Sequence, residues 1–199
     1  MLHSNPEIIS SVTYAWCFED NVFNEEELKK IIDYCDTLEK APSNILTSDS
    51  ISKQNTDVRV SEISWVTLNQ DSEWFFSRIS NTIDYLNESY YGYDLYGFKN
   101  IQYAKYDALY SGKYDHHMDM VLGVPPGNIQ IPRKLSAGLL LSDDFEGGEF
   151  EFGFDQKENP KFKAGTLIVF PSFMIHRVKP VTKGIRRSLV TWCVGPKFK

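Results

Sequence analysis

The stretch Tyr110-Ser111-Gly112-Lys113-Tyr114-Asp115-His116-His117-Met118-Asp119 sets the terms for the rest of the chain. Side chains at i and i+2 of a strand share one face, so His117 and Asp119 can grip one ion together. Two histidines and one carboxylate form the facial set that holds Fe(II) and leaves its opposite face open. His176, far downstream, offers the missing imidazole. A ligand pair on one strand and a third ligand from a remote segment call for strands that lie face to face. His116, out of phase with His117, is expected to point to solvent or to lie behind the ligands.

Working outward, the pattern after residue 94 is one of strands. Leu95 to Tyr106 carries Phe98, Ile101, Tyr103 and Tyr106, and Leu135 to Leu141 is a short continuous apolar run, as in a strand buried on both faces. Gly147-Gly148-Glu149-Phe150-Glu151-Phe152 reads as a turn entering alternation. Gly165-Thr166-Leu167-Ile168-Val169-Phe170-Pro171 is a buried strand stopped by proline, His176 follows just past its end, and Arg187 to Val194 is the last strand. Before residue 94 the pattern differs. Residues 10–19 form an opening strand, and Asn24-Glu25-Glu26-Glu27 starts a helix with the residues of a capping box. Leu28, Ile31, Ile32, Cys35 and Leu38 then recur at helical spacing. Val58 to Val66 alternates as a strand, and a second helix runs from about Asp71 to Asn87 with Phe76, Ile79, Ile83 and Leu86 on one face. The tyrosines of Tyr90-Tyr91-Gly92-Tyr93 pack against strands and turns. Helices first and many antiparallel strands after them predict an all-β core with flanking helices, an α+β chain built on a jelly roll.

Two stretches lack this regularity. Residues 41–57 are polar and read as a long loop. Residues 120–133 contain Pro125, Pro126 and Pro132, which exclude a regular element and suggest a rim over the site. Together they offer a groove for an extended peptide.

Composition narrows the classes. The chain has 199 residues, 42% hydrophobic and 14% aromatic, enough for a sizeable packed core, and the expectation is one domain over 1–199. Its helical support covers about 20–90 and its strand core about 94–195. A net charge of −6 argues against a phosphate-tracking surface, so no nucleic-acid partner is expected. Cys17, Cys35 and Cys193 are odd in number and lack metal-ligand spacing, which predicts buried free thiols in a reducing compartment. Neither a signal peptide nor an apolar run of bilayer-spanning length is legible, so a soluble cytoplasmic protein without a membrane partner is expected. Oligomeric state is not legible.

Joined in order, the motifs resemble the iron(II)- and 2-oxoglutarate-dependent oxygenases, in particular the prolyl 4-hydroxylase-like group with its PKHD-type hydroxylases. The matching residues are Tyr106, Gly112-x-Tyr114-x-x-His117-x-Asp119, Leu141-Ser142-Asp143-Asp144-Phe145-Glu146-Gly147-Gly148-Glu149-Phe150 and Gly165 to Pro171. They continue through His176-x-Val178-x-Pro180-Val181-Thr182-x-Gly184-x-Arg186-x-Ser188-Leu189 and Trp192. The likeness covers roughly residues 95–195, with a spacer between Gly112 and His117 one residue shorter than the commoner form. It implies a double-stranded β-helix (cupin-like jelly roll) with the N-terminal helices packed on one sheet. It also implies Fe(II) on His117, Asp119 and His176, with 2-oxoglutarate and O2 as cosubstrates and ascorbate to keep the iron reduced. Halogenating relatives carry a small residue in place of Asp119, so hydroxylation is the implied outcome.

The distal carboxylate of 2-oxoglutarate requires a fixed cation, and the resemblance gives that role to Arg186, whose planar guanidinium can hold a carboxylate through two bonds. Many collagen-type relatives have lysine there. Ser188 adds a hydroxyl to the same carboxylate. Tyr106 matches a tyrosine that hydrogen-bonds the cosubstrate, with core packing as the alternative. Trp192 walls the pocket or is plain core. Tyr114 orients the ligand strand, Glu149 and its two glycines shape a turn, and Arg187, Lys179 and Lys183 are surface charges, the first at a strand edge. The implied substrate is a prolyl residue in a peptide or protein. A free amino acid or other small molecule is the alternative, as is an inactive binding module that keeps the fold.

Overall fold

The computed structural model describes residues 14–41, 43–46, 52–120, 131–153 and 161–197. In chain order the elements are β1 (Cys17–Glu19), α1 (Glu25–Asp36), β2 (Lys40–Ala41), β3 (Asn44–Leu46), β4 (Ser52–Gln54), β5 (Arg59–Val60), β6 (Glu62–Thr67) and α2 (Glu73–Tyr90). There follow β7 (Asn100–Asp107), β8 (Lys113–His117), β9 (Arg133–Leu140), β10 (Glu146–Gly147), β11 (Phe150–Phe152), β12 (Leu167–Pro171), β13 (His176–Val178), β14 (Val181–Lys183) and β15 (Ile185–Val194). The larger sheet has the order β1-β12-β9-β15-β7-β6-β2, and the smaller one β11-β13-β8-β5, with every described pairing antiparallel.

The larger sheet is buried on both faces, and on β7, β9, β12 and β15 residue parity divides them. Odd-numbered Ile101, Tyr103, Leu135, Leu139, Leu167, Val169 and Leu189 meet the helices, where Leu28, Ile31 and Cys35 of α1 and Phe75, Ile79, Ile83 and Leu86 of α2 complete one apolar cluster. Even-numbered Ala104 and Tyr106 face the other way and pack with Val178 and Val181. Ile168 and Phe170 do the same with Phe152. A two-residue period carries this division, and it explains why Leu135 to Leu140 shows no amphipathic alternation.

The helices form where the sequence places them. Glu27 N–H donates to Asn24 Oδ1 and Asn24 N–H to Glu27 Oε2, both at 3.0 Å, closing the capping box. Arg78 of α2 then reaches Glu27 at 2.8 Å and ties the two helices. α2 extends to Tyr90, past the expected end at Asn87. The Asn87 side chain donates to Tyr93 O and accepts from Tyr93 N–H, so it braces the following turn instead of ending the helix. Gly92, at φ +63°, supplies the left-handed turn that stops it.

Two expectations change. The polar stretch 41–57 contains the β3–β4 hairpin, whose main-chain pairing from Asn44 to Gln54 does not require an apolar sequence pattern. Residues 42 and 47–51 lie outside the described residues. Arg187 is half-buried on β15, a central strand flanked by β7 and β9, so it is no edge charge. The opening strand is described only from Cys17 to Glu19, since residues 1–13 lie outside the described residues, and most of the proline-rich rim (121–130) does too. Cys17, Cys35 and Cys193 are buried free thiols. No described helix is long and apolar enough to cross a membrane.

Candidate metal centre

Antiparallel pairing of β13 with β8 sets His176 directly opposite His117. His176 is the first residue of β13, reached from β12 through a four-residue turn in which the chain leaves the larger sheet for the smaller. Asp119 lies two residues beyond the end of β8, and its N–H donates to Ser172 O in that turn at 3.0 Å. The carboxylate thereby sits between the two imidazoles. His117 Nε2 is 3.6 Å from Asp119 Oδ1, and His176 Nε2 is 3.6 Å from Asp119 Oδ2. One donor atom from each residue falls within 4.8 Å of the others.

The surroundings fix which atoms face the centre. His117 Nδ1 is 2.8 Å from Asp115 O and His176 Nδ1 is 2.9 Å from Met174 O. A carbonyl only accepts, so each Nδ1 carries the proton and each Nε2 turns a lone pair inward. The Tyr114 ring lies flat on His117, 3.5 Å between centroids, while Phe170 and Phe150 flank His176 at 4.7 and 5.4 Å. Burial pushes the His176 imidazole down to about 4, which keeps it neutral and free to coordinate near pH 7. Burial alone would raise the Asp119 carboxyl. The facing His176 and His117 together with the Ser136 hydroxyl, 2.7 Å from Oδ2, outweigh it and hold Asp119 well below the usual carboxylate range. Ser136 itself is held by Ser172 at 3.0 Å. Two oriented imidazoles and a buried carboxylate fit a divalent cation that accepts nitrogen and oxygen donors.

The triad lies in the wall of a pocket between the two sheets. Along β15 the even residues Arg186, Ser188, Val190 and Trp192 all line it, as do Tyr106 and Gln102 of β7. Arg186 is 7% exposed, and its Nη1 donates to Ser188 Oγ at 3.2 Å. The Arg186 guanidinium stands 5.7 Å from the Tyr106 ring centre. Among the described residues no carboxylate lies within ion-pair distance of Arg186. Gly148, at φ +65°, passes so close that a Cβ there would stand 3.1 Å from Arg186 Cδ, so the Gly147-Gly148 turn shapes the arginine's channel. Trp192 has a buried Nε1–H without an acceptor among the described residues, and the Arg133 guanidinium lies 4.0 Å over its ring.

The structure thus brings all seven residues singled out in the sequence to one pocket. His116 is exposed, and Lys179 and Lys183 pair with Glu149 and Glu146 at the surface. Sequence reasoning missed Arg59, Gln102 and Ser136. Ser136 was hidden in an apolar run, where a single hydroxyl among leucines is the only signal. Arg59 was hidden in a strand whose alternation gave no hint of which face is enclosed.

Residues 101–194 match the family model described as the 2OG-Fe(II) oxygenase superfamily. That match lies within the strand core and contains the His117–Asp119–His176 set and Arg186. Similar curated proteins include a PKHD-type hydroxylase of Teredinibacter turnerae, 38% identical over 87 residues, and one of Pseudomonas fluorescens, 36% identical over 88. Each alignment covers 41% of this chain and 37% and 38% of those relatives, so the chain spans less than two fifths of their length. Among solved structures, a Pseudomonas putida prolyl 4-hydroxylase superposes with a TM-score of 0.70 over 93% of this chain and 95% of that one, at 19% identity. A prolyl hydroxylase of Trichoplax adhaerens, in complex with a fragment of a hypoxia-inducible factor, gives 0.70 over 95% and 86%, at 16% identity. At those identities the structural likeness establishes the fold, a double-stranded β-helix.

Proposed function

We propose that this protein is an Fe(II)- and 2-oxoglutarate-dependent dioxygenase that hydroxylates a C–H bond, with a prolyl residue of a peptide or protein as its substrate and succinate and CO2 as coproducts. The observation that carries this reading is the joint presence, in one pocket, of the oriented His117–Asp119–His176 set and a buried arginine with no carboxylate partner among the described residues. A buried guanidinium without an anion is costly, and a dicarboxylate cosubstrate removes that cost. The match of residues 101–194 to the model of that superfamily supports the choice of metal and cosubstrate.

In this reading His117, Asp119 and His176 hold Fe(II). When bound, the iron supplies dioxygen activation coupled to oxidative decarboxylation of 2-oxoglutarate. Asp119 offsets part of the ion's charge, and Ser136 keeps its second oxygen fixed. Arg186, with Ser188 beside it, receives the distal carboxylate, and Tyr106 walls that end. Phe150, Phe170, Ile168 and Val178 exclude water, which strengthens each polar contact inside. Trp192 offers its N–H, without an acceptor among the described residues, at the other end of the β15 row. The helical part and the strand core act as one domain, since α1 and α2 cover the face opposite the pocket on the same sheet.

Anaerobic addition of Fe(II) and 2-oxoglutarate is expected to give a weak visible charge-transfer absorption. His176→Ala is expected to abolish it, and Arg186→Gln to demand far more 2-oxoglutarate. No absorption in the intact protein would overturn the oxygenase reading. Mass spectrometry of a panel of prolyl peptides and free amino acids then decides the substrate by a gain of one oxygen atom.

A further inference from the structure

Arg186 is not the sole buried cation in the pocket. Arg59 is 5% exposed and lines the same cavity from the opposite sheet. It enters from β5, paired across from Tyr114, and its guanidinium stacks 4.7 Å over the Tyr114 ring that covers His117. Its Nη2 crosses to Gln102 Oε1 on the larger sheet at 2.7 Å, and its Nε donates to Ser61 Oγ at 2.7 Å. Both acceptors are neutral, and among the described residues no carboxylate lies within ion-pair distance of Arg59.

Arg59 and Arg186 occupy different ends of the pocket. Gln102 pairs with Val190 and Tyr106 with Arg186, so the two levels lie four residues apart on one sheet face, about 13 Å of strand. A single small dicarboxylate bound at Arg186 with its other end on the metal leaves Arg59 unanswered. The charges say the same. Among the described residues, the charged side chains lining the pocket are Arg59, Arg186 and Asp119. Fe(II) adds two positive charges and 2-oxoglutarate two negative ones, which leaves one positive charge over. Arg133 does not relieve it, being a further cation whose Nη1 donates to the Asp119 carbonyl at 3.1 Å. A residue needed only to bridge Gln102 and Ser61 would not need a charge, and a buried guanidinium satisfied by neutral groups alone is the arrangement that proteins avoid.

We infer that the reacting substrate carries a carboxylate, and that Arg59, positioned by Gln102, Ser61 and Tyr114, receives it. This deepens the proposed oxygenase reading and rests on it. The carboxylate has two possible sources, the main-chain carboxylate of a free or C-terminal amino acid and the side chain of an acidic residue next to the reacting one. The geometry requires the charge and is met by either.

The test uses the full chain loaded with Mn(II) in place of iron, with saturating 2-oxoglutarate, and titration calorimetry with matched probes. The first pair is N-acetyl-proline and its carboxamide, and the second is N-acetyl-Glu-Pro-amide and N-acetyl-Gln-Pro-amide. At least one acid is expected to bind ten-fold or more tightly than its neutral partner, and the pair that responds identifies the source. Arg59→Gln is expected to bring that ratio close to one, and Arg59→Lys to retain part of it, with circular dichroism reporting that each variant is folded. The wild-type ratio and the lysine variant decide the question even where the glutamine variant does not fold. Equal binding of acid and neutral forms, no binding by either acid, or an unchanged ratio in Arg59→Gln overturns the assignment. Its failure is separable from that of the oxygenase reading: the Fe(II)–2-oxoglutarate absorption of the intact protein persists in the first case and is missing in the second.

Discussion

The two faces of the larger sheet are made by the same strands and do opposite work. On the odd face Ile101, Leu139 and Leu189 meet the helices in a cluster built mostly of apolar side chains. On the even face Gln102, Arg186 and Ser188 hold polar atoms at low exposure against the pocket, and buried Ser136 donates to Asp119 in its wall. Neighbours in sequence, such as Ser188 and Leu189, thus belong to different energetic worlds. Apolar burial stabilises the odd face at about 25 cal/mol per Å², whereas the even face sets buried polar groups that require partners. Strand alternation lets a small chain keep stability and chemistry a single residue apart.

The sharpest way to break the contrast is at the metal. His176→Ala removes a ligand and is expected to eliminate the Fe(II)–2-oxoglutarate absorption, while urea unfolding of the metal-free protein remains cooperative. Next in size, Leu189→Ala on the odd face is expected to lower unfolding free energy by about 2–5 kcal/mol in urea titration, with metal affinity of the folded protein unchanged. Ser136→Ala tests the even face without touching a ligand. Losing the hydroxyl on Asp119 Oδ2 is expected to weaken Fe(II) binding by about ten- to a hundred-fold, read by competition with a chelator. The smallest effect falls outside both faces: Asn24→Ala opens the capping box of α1 and is expected to cost about 1 kcal/mol in thermal or urea unfolding, with no change in metal or 2-oxoglutarate binding. A large loss of metal affinity in Leu189→Ala, or none in Ser136→Ala, would erase the distinction between the faces.

Much of the site was legible because its chemistry uses rare residue types at fixed spacing. His117, Asp119 and His176 stand out in a chain with four histidines, and the family resemblance pointed to Arg186. The helices were legible through capping and a 3.6-residue period. The positioning groups were not. Arg59 meets Gln102 across 43 residues, and Ser136 meets Asp119 across 17, and nothing local distinguishes them from other strand residues. The β3–β4 hairpin was missed because main-chain pairing can proceed without a side-chain pattern.

By itself the sequence determined which residue types at which spacing could hold a metal, where the two helices and the longer strands lie, and which strand residues share a face, because these follow from side-chain chemistry and local periodicity; the role of Arg186 came from the family resemblance. Only the tertiary structure decided which of the two faces is the pocket, that both histidines turn Nε2 inward under carbonyl control, and that a second arginine without a carboxylate partner among the described residues shares the cavity with Arg186. Those depend on pairings between segments far apart in the chain, where burial and desolvation turn an ordinary arginine or serine into part of a site.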